Sequence, residues 1–81
     1  MGMDDDFNLY KLIIKSVETQ IKENDPPVTK ETFERLVSAG NDEAAAKEKI
    51  ASIIAEEIYL TMKDNRKISE TEFARKLAEL E

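Results

Sequence analysis

Three glutamates are the side chains whose positions most suggest chemistry. Glu56 and Glu57 are adjacent, and on a helical wheel Glu57 projects into an apolar arc between Ile50 and Ile53. Glu18 belongs to an earlier helical segment that is able to face this pair. Carboxylates on facing helices bind metal ions in helical bundles. One hypothesis is therefore a metal site, or a metal-dependent enzyme, that uses Glu18, Glu56 and Glu57.

A structural interpretation of these glutamates competes with the metal hypothesis. Metal sites in helical bundles combine glutamate with histidine, and the chain has neither histidine nor cysteine. A glutamate on an apolar face usually extends to solvent or pairs with a lysine. We favour this interpretation and expect no catalytic residue, no metal ion and no cofactor.

The remaining composition excludes several further kinds of chemistry. Without histidine there is no imidazole base, and without cysteine there is neither a thiol nucleophile nor a disulfide. Glycine occurs only at positions 2 and 40, so a glycine-rich phosphate loop cannot form. No serine lies in a G-x-S-x-G motif. The sequence thus predicts a non-enzymatic protein with no identifiable small-molecule ligand.

Four apolar side chains are candidates for a contact surface. Leu9 and Leu12 point away from the main apolar stripe of the first helical segment, and Tyr59 and Leu60 belong to a long segment that is apolar nearly all round. Apolar residues mark an interface when they are contiguous on the surface. The prediction is that these four residues form a patch for a protein partner or for a second copy.

The charge balance limits the partners. The chain carries 12 Lys and Arg against 18 Asp and Glu, a formal net charge of −6. This balance disfavours nucleic acid and anionic membranes, which both attract clustered basic residues. No apolar run approaches the roughly 20 residues that span a bilayer, and the first residues are acidic where a signal peptide is basic. We therefore expect a cytoplasmic protein.

Apolar spacing predicts two helices before residue 40. The first covers about residues 4–22, with an apolar stripe formed by Phe7, Tyr10, Ile13, Ile14, Val17 and Ile21. Pro26 and Pro27 follow it and stop the helix. The second covers about residues 30–39, with Thr29 as N-cap and Gly40 at the left-handed C-terminal position. A hydrophobic staple is expected between Val28 and Phe33.

The second half of the chain predicts two more helices. The third covers about residues 42–63 and is the most apolar, so it should be the central one. The fourth covers about residues 69–80, with Ser69 and Glu72 as a capping box and Ile68 and Phe73 as the staple. No segment alternates with the period of a strand. The predicted fold is one all-α domain, residues 1–81, of four helices with short connections.

Several short motifs resemble a family of small bacterial proteins of unknown function. They are a D-P-P break at residues 25–27, an E-T-x-E-R-L helix at residues 31–36 and an A-E-E-I-Y segment at residues 55–59. The similarity covers about residues 17–80. It implies a bacterial origin and the same order of helices, but no activity.

One departure from the family pattern concerns metal binding. Some similar domains carry two histidines four residues apart early in the long helix. The corresponding positions here are Ala44 and Glu48. A metal role implied by the resemblance would thus lack its strongest ligands.

These observations leave three functional hypotheses. The first is a non-enzymatic helical domain that acts through protein–protein contact or homodimerisation. The alternative is the carboxylate metal site. The last is a helix-turn-helix nucleic-acid module around Gly40, which is disfavoured because its recognition helix would begin with the acidic residues Asp42 and Glu43.

Overall fold

The chain folds into α-helices in a computed structural model that describes residues 8–65, 67 and 69–81. Within these residues there are four helices and no strand. The helices are α1 (Leu9–Glu23), α2 (Pro27–Ser38), α3 (Glu43–Asp64) and α4 (Glu70–Ala78). The predicted all-α single domain is confirmed. The predictions that concern residues 1–7 and Ile68 lie outside the described residues.

Helix α1 begins later than predicted. Asn8 has an extended backbone, and its side chain accepts a hydrogen bond from the Lys11 backbone N–H at 3.1 Å. Asn8 is therefore the N-cap of α1, so the predicted helix of residues 4–22 is not continuous through Asn8. The helix ends at Asn24, which is left-handed with φ 56°. Tyr10, predicted on the inner stripe, is half exposed instead.

Helix α2 begins at Pro27, three residues before its predicted start. Proline is favourable in the first turn because its missing N–H has no helical partner there. Thr29 consequently lies inside the helix, fully buried, and its hydroxyl donates to Gln20 Oε1 of α1 at 2.7 Å. The predicted Thr29 cap is wrong, and so is the staple, because Val28 is itself helical. Gly40 has a positive φ of 113°, as its predicted role requires.

Side-chain caps define the starts of α3 and α4. Asp42 accepts a hydrogen bond from the Ala45 backbone N–H at 2.7 Å. Ser69 accepts one from the Glu72 backbone N–H at 3.2 Å, which confirms Ser69 as the predicted cap. The end of α4 was predicted at Leu80, but the helix stops at Ala78.

The core lies where the first half of α3 meets the other helices. Helices α1 and α4 each pack against both α2 and α3, whereas α1 and α4 do not contact each other through their described residues. Seven apolar side chains of the described part are buried: Ile13, Val17, Leu36, Ala46, Ile50, Ala51 and Leu77. No described helix is both long enough and apolar enough to cross a bilayer.

Arg35 connects α2 to the C-terminal end of α4. Its Nη1 donates to the Leu80 carbonyl at 2.9 Å, and its Nη2 donates to the Leu77 carbonyl at 3.0 Å. These carbonyls belong to the last turn of α4 and the residues after it, and the Leu77 carbonyl also accepts a hydrogen bond from the Leu80 backbone N–H at 3.1 Å. Lys49 of α3 donates to the Glu81 carbonyl nearby. Both contacts hold the end of the chain against the core.

Candidate functional site

Two of the three candidate metal ligands pair with separate lysines. Lys47 Nζ lies 3.2 Å from Glu18 Oε2, and Lys76 Nζ lies 3.5 Å from Glu56 Oε1. Lys47 and Glu56 are nine residues apart on α3, which is about 13 Å along the helix. The structure therefore does not bring Glu18 together with Glu56. The described residues contain no group of three or more acidic side chains that could hold a metal ion.

Glu57 is the acidic residue with the unusual environment. Its Oε2 is buried and has no hydrogen-bond partner among the described residues. Burial raises the pKa of the Glu57 carboxyl above its usual range. The positive charge of Lys76 lowers this pKa in part, and the negative charges of Glu56 and Glu72 raise it further. Glu57 is thus a partly desolvated carboxylate beside the core.

One side of α3 is buried at Ala51 and open further along the helix. Helix α1 reaches this side just before Ala51, where Tyr10 Oη donates to Glu48 Oε2 at 3.1 Å. Beyond Ala51 an apolar stripe continues along the same side of the helix. We call its open part the α3 face, which consists of Ala55, Ile58, Tyr59 and Met62.

The α3 face combines helical spacing with high exposure. Its four residues fall within an arc of about 100° on a helix of 3.6 residues per turn. Tyr59 is 58% exposed and Met62 is 79% exposed, the highest value among the large apolar residues described. Ile58 is only partly buried, against the edge of the core. A depression in the surface lies beside the face and is lined by Glu57, Ile58, Thr61 and Met62.

Charged groups border the α3 face on one flank. Lys63 Nζ lies 5.7 Å from the centre of the Tyr59 ring, within the range of a cation–π contact. Glu56 lies on the same flank two turns earlier, and its side chain is 52% exposed. The flank is therefore acidic toward the middle of α3 and basic toward its end.

The predicted interface residues occupy different places. Leu9 and Leu12 are exposed on α1, at 51% and 50%. Tyr59 belongs to the α3 face, whereas Leu60 is only partly exposed and points about 100° away from Tyr59 around the helix. Sequence reasoning did not select Ile58 and Met62 for the surface. The available signal was their helical spacing, because Ile58 follows Ala55 by three residues and Met62 follows Ile58 by four.

Comparison with known proteins adds no information about this site. The chain matches no protein-family model, no curated protein and no solved structure. The resemblance to a bacterial family therefore stays a prediction.

Proposed function

We propose that this chain is a non-enzymatic interaction domain that contacts another protein through the α3 face. The observation that carries the proposal is the change along one stripe of α3. The stripe is buried at Ala51 and open at Tyr59 and Met62, although the residue types stay apolar.

The residue types of the α3 face support a contact role. Tyrosine, phenylalanine and methionine are enriched at protein interfaces, where lysine and glutamate are depleted. Tyr59 offers a large rigid ring with a polar hydroxyl, and Met62 offers a flexible side chain that adapts to the surface it meets. Exposed apolar surface of this kind loses its contact with water when a partner binds, which favours association.

The environment of the ionisable groups supports a role without catalysis. Glu18 and Glu56 are each neutralised by a lysine of a neighbouring helix. The free oxygen of Glu57 is enclosed, so it is poorly placed to meet a substrate. Among the described residues, no group of three or more acidic side chains is placed to hold a metal ion.

Photo-crosslinking tests the proposal for any protein partner. Tyr59 is replaced by p-benzoylphenylalanine, and the chain is irradiated in the source cell. A matched variant carries the same group at Lys15, an exposed position on helix α1. We expect discrete protein adducts, including adducts between copies of the chain, from position 59 and not from position 15. Equal labelling from both positions, or none from position 59, would contradict the proposal.

A further inference from the structure

We propose that the partner on the α3 face is a second copy of this chain, with its α3 antiparallel to the first across a two-fold axis. The inference rests on the proposed function, because it names the occupant of that surface. Three features of α3 support it: where α1 lies, how the face is spaced and how its flank is charged.

The position of α1 selects the antiparallel orientation. Helix α1 lies on the same side of α3 as the face, but at the level of Lys47 and Glu48. Two α3 helices packed in parallel would bring both α1 helices to one level and against each other. Antiparallel packing places each α1 beyond the C-terminal end of the other α3. Only this orientation leaves the second half of α3 free to be contacted.

The spacing of the face fits a dyad between Ile58 and Tyr59. Ala55 and Met62 are equally far from this point, and each lies about 5 Å from it along the helix. In an antiparallel pair the small Ala55 of one copy therefore faces the long Met62 of the other, and the reverse holds by symmetry. A large residue opposite a small one lets the two helices interlock.

Charge complementarity favours the same orientation. In an antiparallel pair the charged flank of one helix lies beside the charged flank of the other. Lys63 of one copy then comes to within about 3 Å, along the helix axis, of the level of Glu56 of the second copy. Two such contacts form by symmetry, and in each of them Glu56 is shared with Lys76 of its own copy, whose Nζ lies 3.5 Å from Glu56 Oε1. A parallel pair would instead place this flank beside Ile54 and Thr61, which carry no charge.

The small size of the face predicts weak association. Stable interfaces use about 20 to 30 residues a side, and contacts well below that size are transient. The four residues of the face and their charged flank are far fewer. We therefore expect a monomer–dimer equilibrium that depends on concentration, with most of the dimer forming only at several hundred micromolar or above.

Sedimentation velocity from about 20 μM to 1 mM tests the association. The expected weight-average mass rises from 9.2 kDa toward twice that value. The double variant Tyr59→Ser, Met62→Ser should stay monomeric, whereas the control Leu9→Ser, Leu12→Ser should associate like the parent. Circular dichroism checks that each variant folds. We expect all of them to fold, because every substituted side chain is exposed. A monomeric parent at 1 mM, or association lost only in the control, would overturn the inference.

Cysteine crosslinking tests the relative orientation of the two α3 helices. Because the chain has no native cysteine, every disulfide must come from the introduced residues. The variants Ala55→Cys and Met62→Cys are oxidised in glutathione buffer, separately and mixed. We expect the mixed sample to form crosslinked dimer at least several-fold above either variant alone. Stronger crosslinking of each variant with itself would indicate a parallel pair and overturn the inference. A parent that stays monomeric while Tyr59 crosslinks a different protein in cells would also overturn it, yet leave the proposed function intact.

Discussion

At the scale of single residues, Glu57 shows how one side chain can oppose the stability of the fold. It lies on the inner side of α3, where the neighbouring positions Ile50, Ile53 and Ile54 contribute to the core. A carboxylate at such a place loses hydration, and its Oε2 gains no described hydrogen bond in return. The raised pKa of Glu57 expresses the same penalty on the charged form.

Removing the charge of Glu57 should stabilise the chain. For Glu57→Gln we expect the free energy of unfolding at pH 8 to rise by less than about 1 kcal/mol, because the charge is removed from a side chain that is only partly buried and the amide that replaces it is still polar. Urea denaturation monitored by circular dichroism measures it. The control Glu56→Gln breaks an exposed ion pair and should change stability by less than about 0.5 kcal/mol. A loss of stability in Glu57→Gln would show that the charge has a favourable partner.

The pH dependence of this gain follows from the direction of the pKa shift. The folded chain protonates Glu57 at a higher pH than the unfolded chain does, so lowering the pH through the folded-state pKa favours the folded wild type. The advantage of Glu57→Gln should thus be full at pH 8 and shrink as the pH falls toward the ordinary pKa of glutamate. An advantage that grows on acidification would contradict the assignment.

At the scale of helices, α4 depends on contacts that come from outside it. It has nine residues, which is too short for a helix to be stable alone in water. Leu77 anchors it in the core, and Arg35 of α2 donates to two carbonyls at its C-terminal end. The Ser69 cap satisfies an N–H at its other end.

Loss of the Arg35 side chain should loosen α4 selectively. For Arg35→Gln we expect a loss of about 1 kcal/mol in unfolding free energy, because charged hydrogen bonds are the stronger ones. Hydrogen exchange of the α4 amides should accelerate more than that of the α1 amides. Arg75→Gln is the matched control, since Arg75 makes only an exposed contact with Glu79 at 3.8 Å. Equal acceleration in all helices would show that Arg35 acts on the whole fold instead.

Helix positions followed from the sequence better than helix ends and contacts between helices did. Apolar spacing gave all four helices, and cap chemistry gave Ser69. The start of α2 was missed because two prolines indicate a break, although a proline also suits a first turn. The reach of Arg35 to α4 spans 42 and 45 residues along the chain, and no local pattern encodes it.

At the scale of the whole molecule, stability rests on a small core. Leu36 is fully buried and lies on α2, which, like α3, contacts the three other described helices. For Leu36→Ala we expect a loss of about 2–5 kcal/mol, a large share of what a domain of this size has. The control Leu12→Ala, half exposed, should cost less than 1 kcal/mol. Thermal unfolding of both variants gives the comparison, and similar losses would contradict the described core.

The surface could be predicted only in part, because exposure depends on tertiary packing. The third segment was recognised as apolar nearly all round. The sequence contains no local sign that α1 covers this helix near Glu48 and leaves it open at Met62. Glu57 is recognisable from the sequence because it lies within an apolar arc of one helix. The lysines that pair with Glu18 and Glu56 are not recognisable in this way. Both lysines come from another helix than their partner.

The lack of contact between α1 and α4 in the described residues has a consequence for how the sequence can change over time. Each of these helices packs against α2 and α3, but the two do not contact each other. The energetic effects of substitutions in α1 and in α4 should therefore add, as they do for separated sites. A destabilising change in α1 is then offset by a stabilising change in α4 only through the total free energy of unfolding, and not through a contact between the two helices. The two helices can thus vary independently of each other, whereas α2 and α3 contact every other described helix.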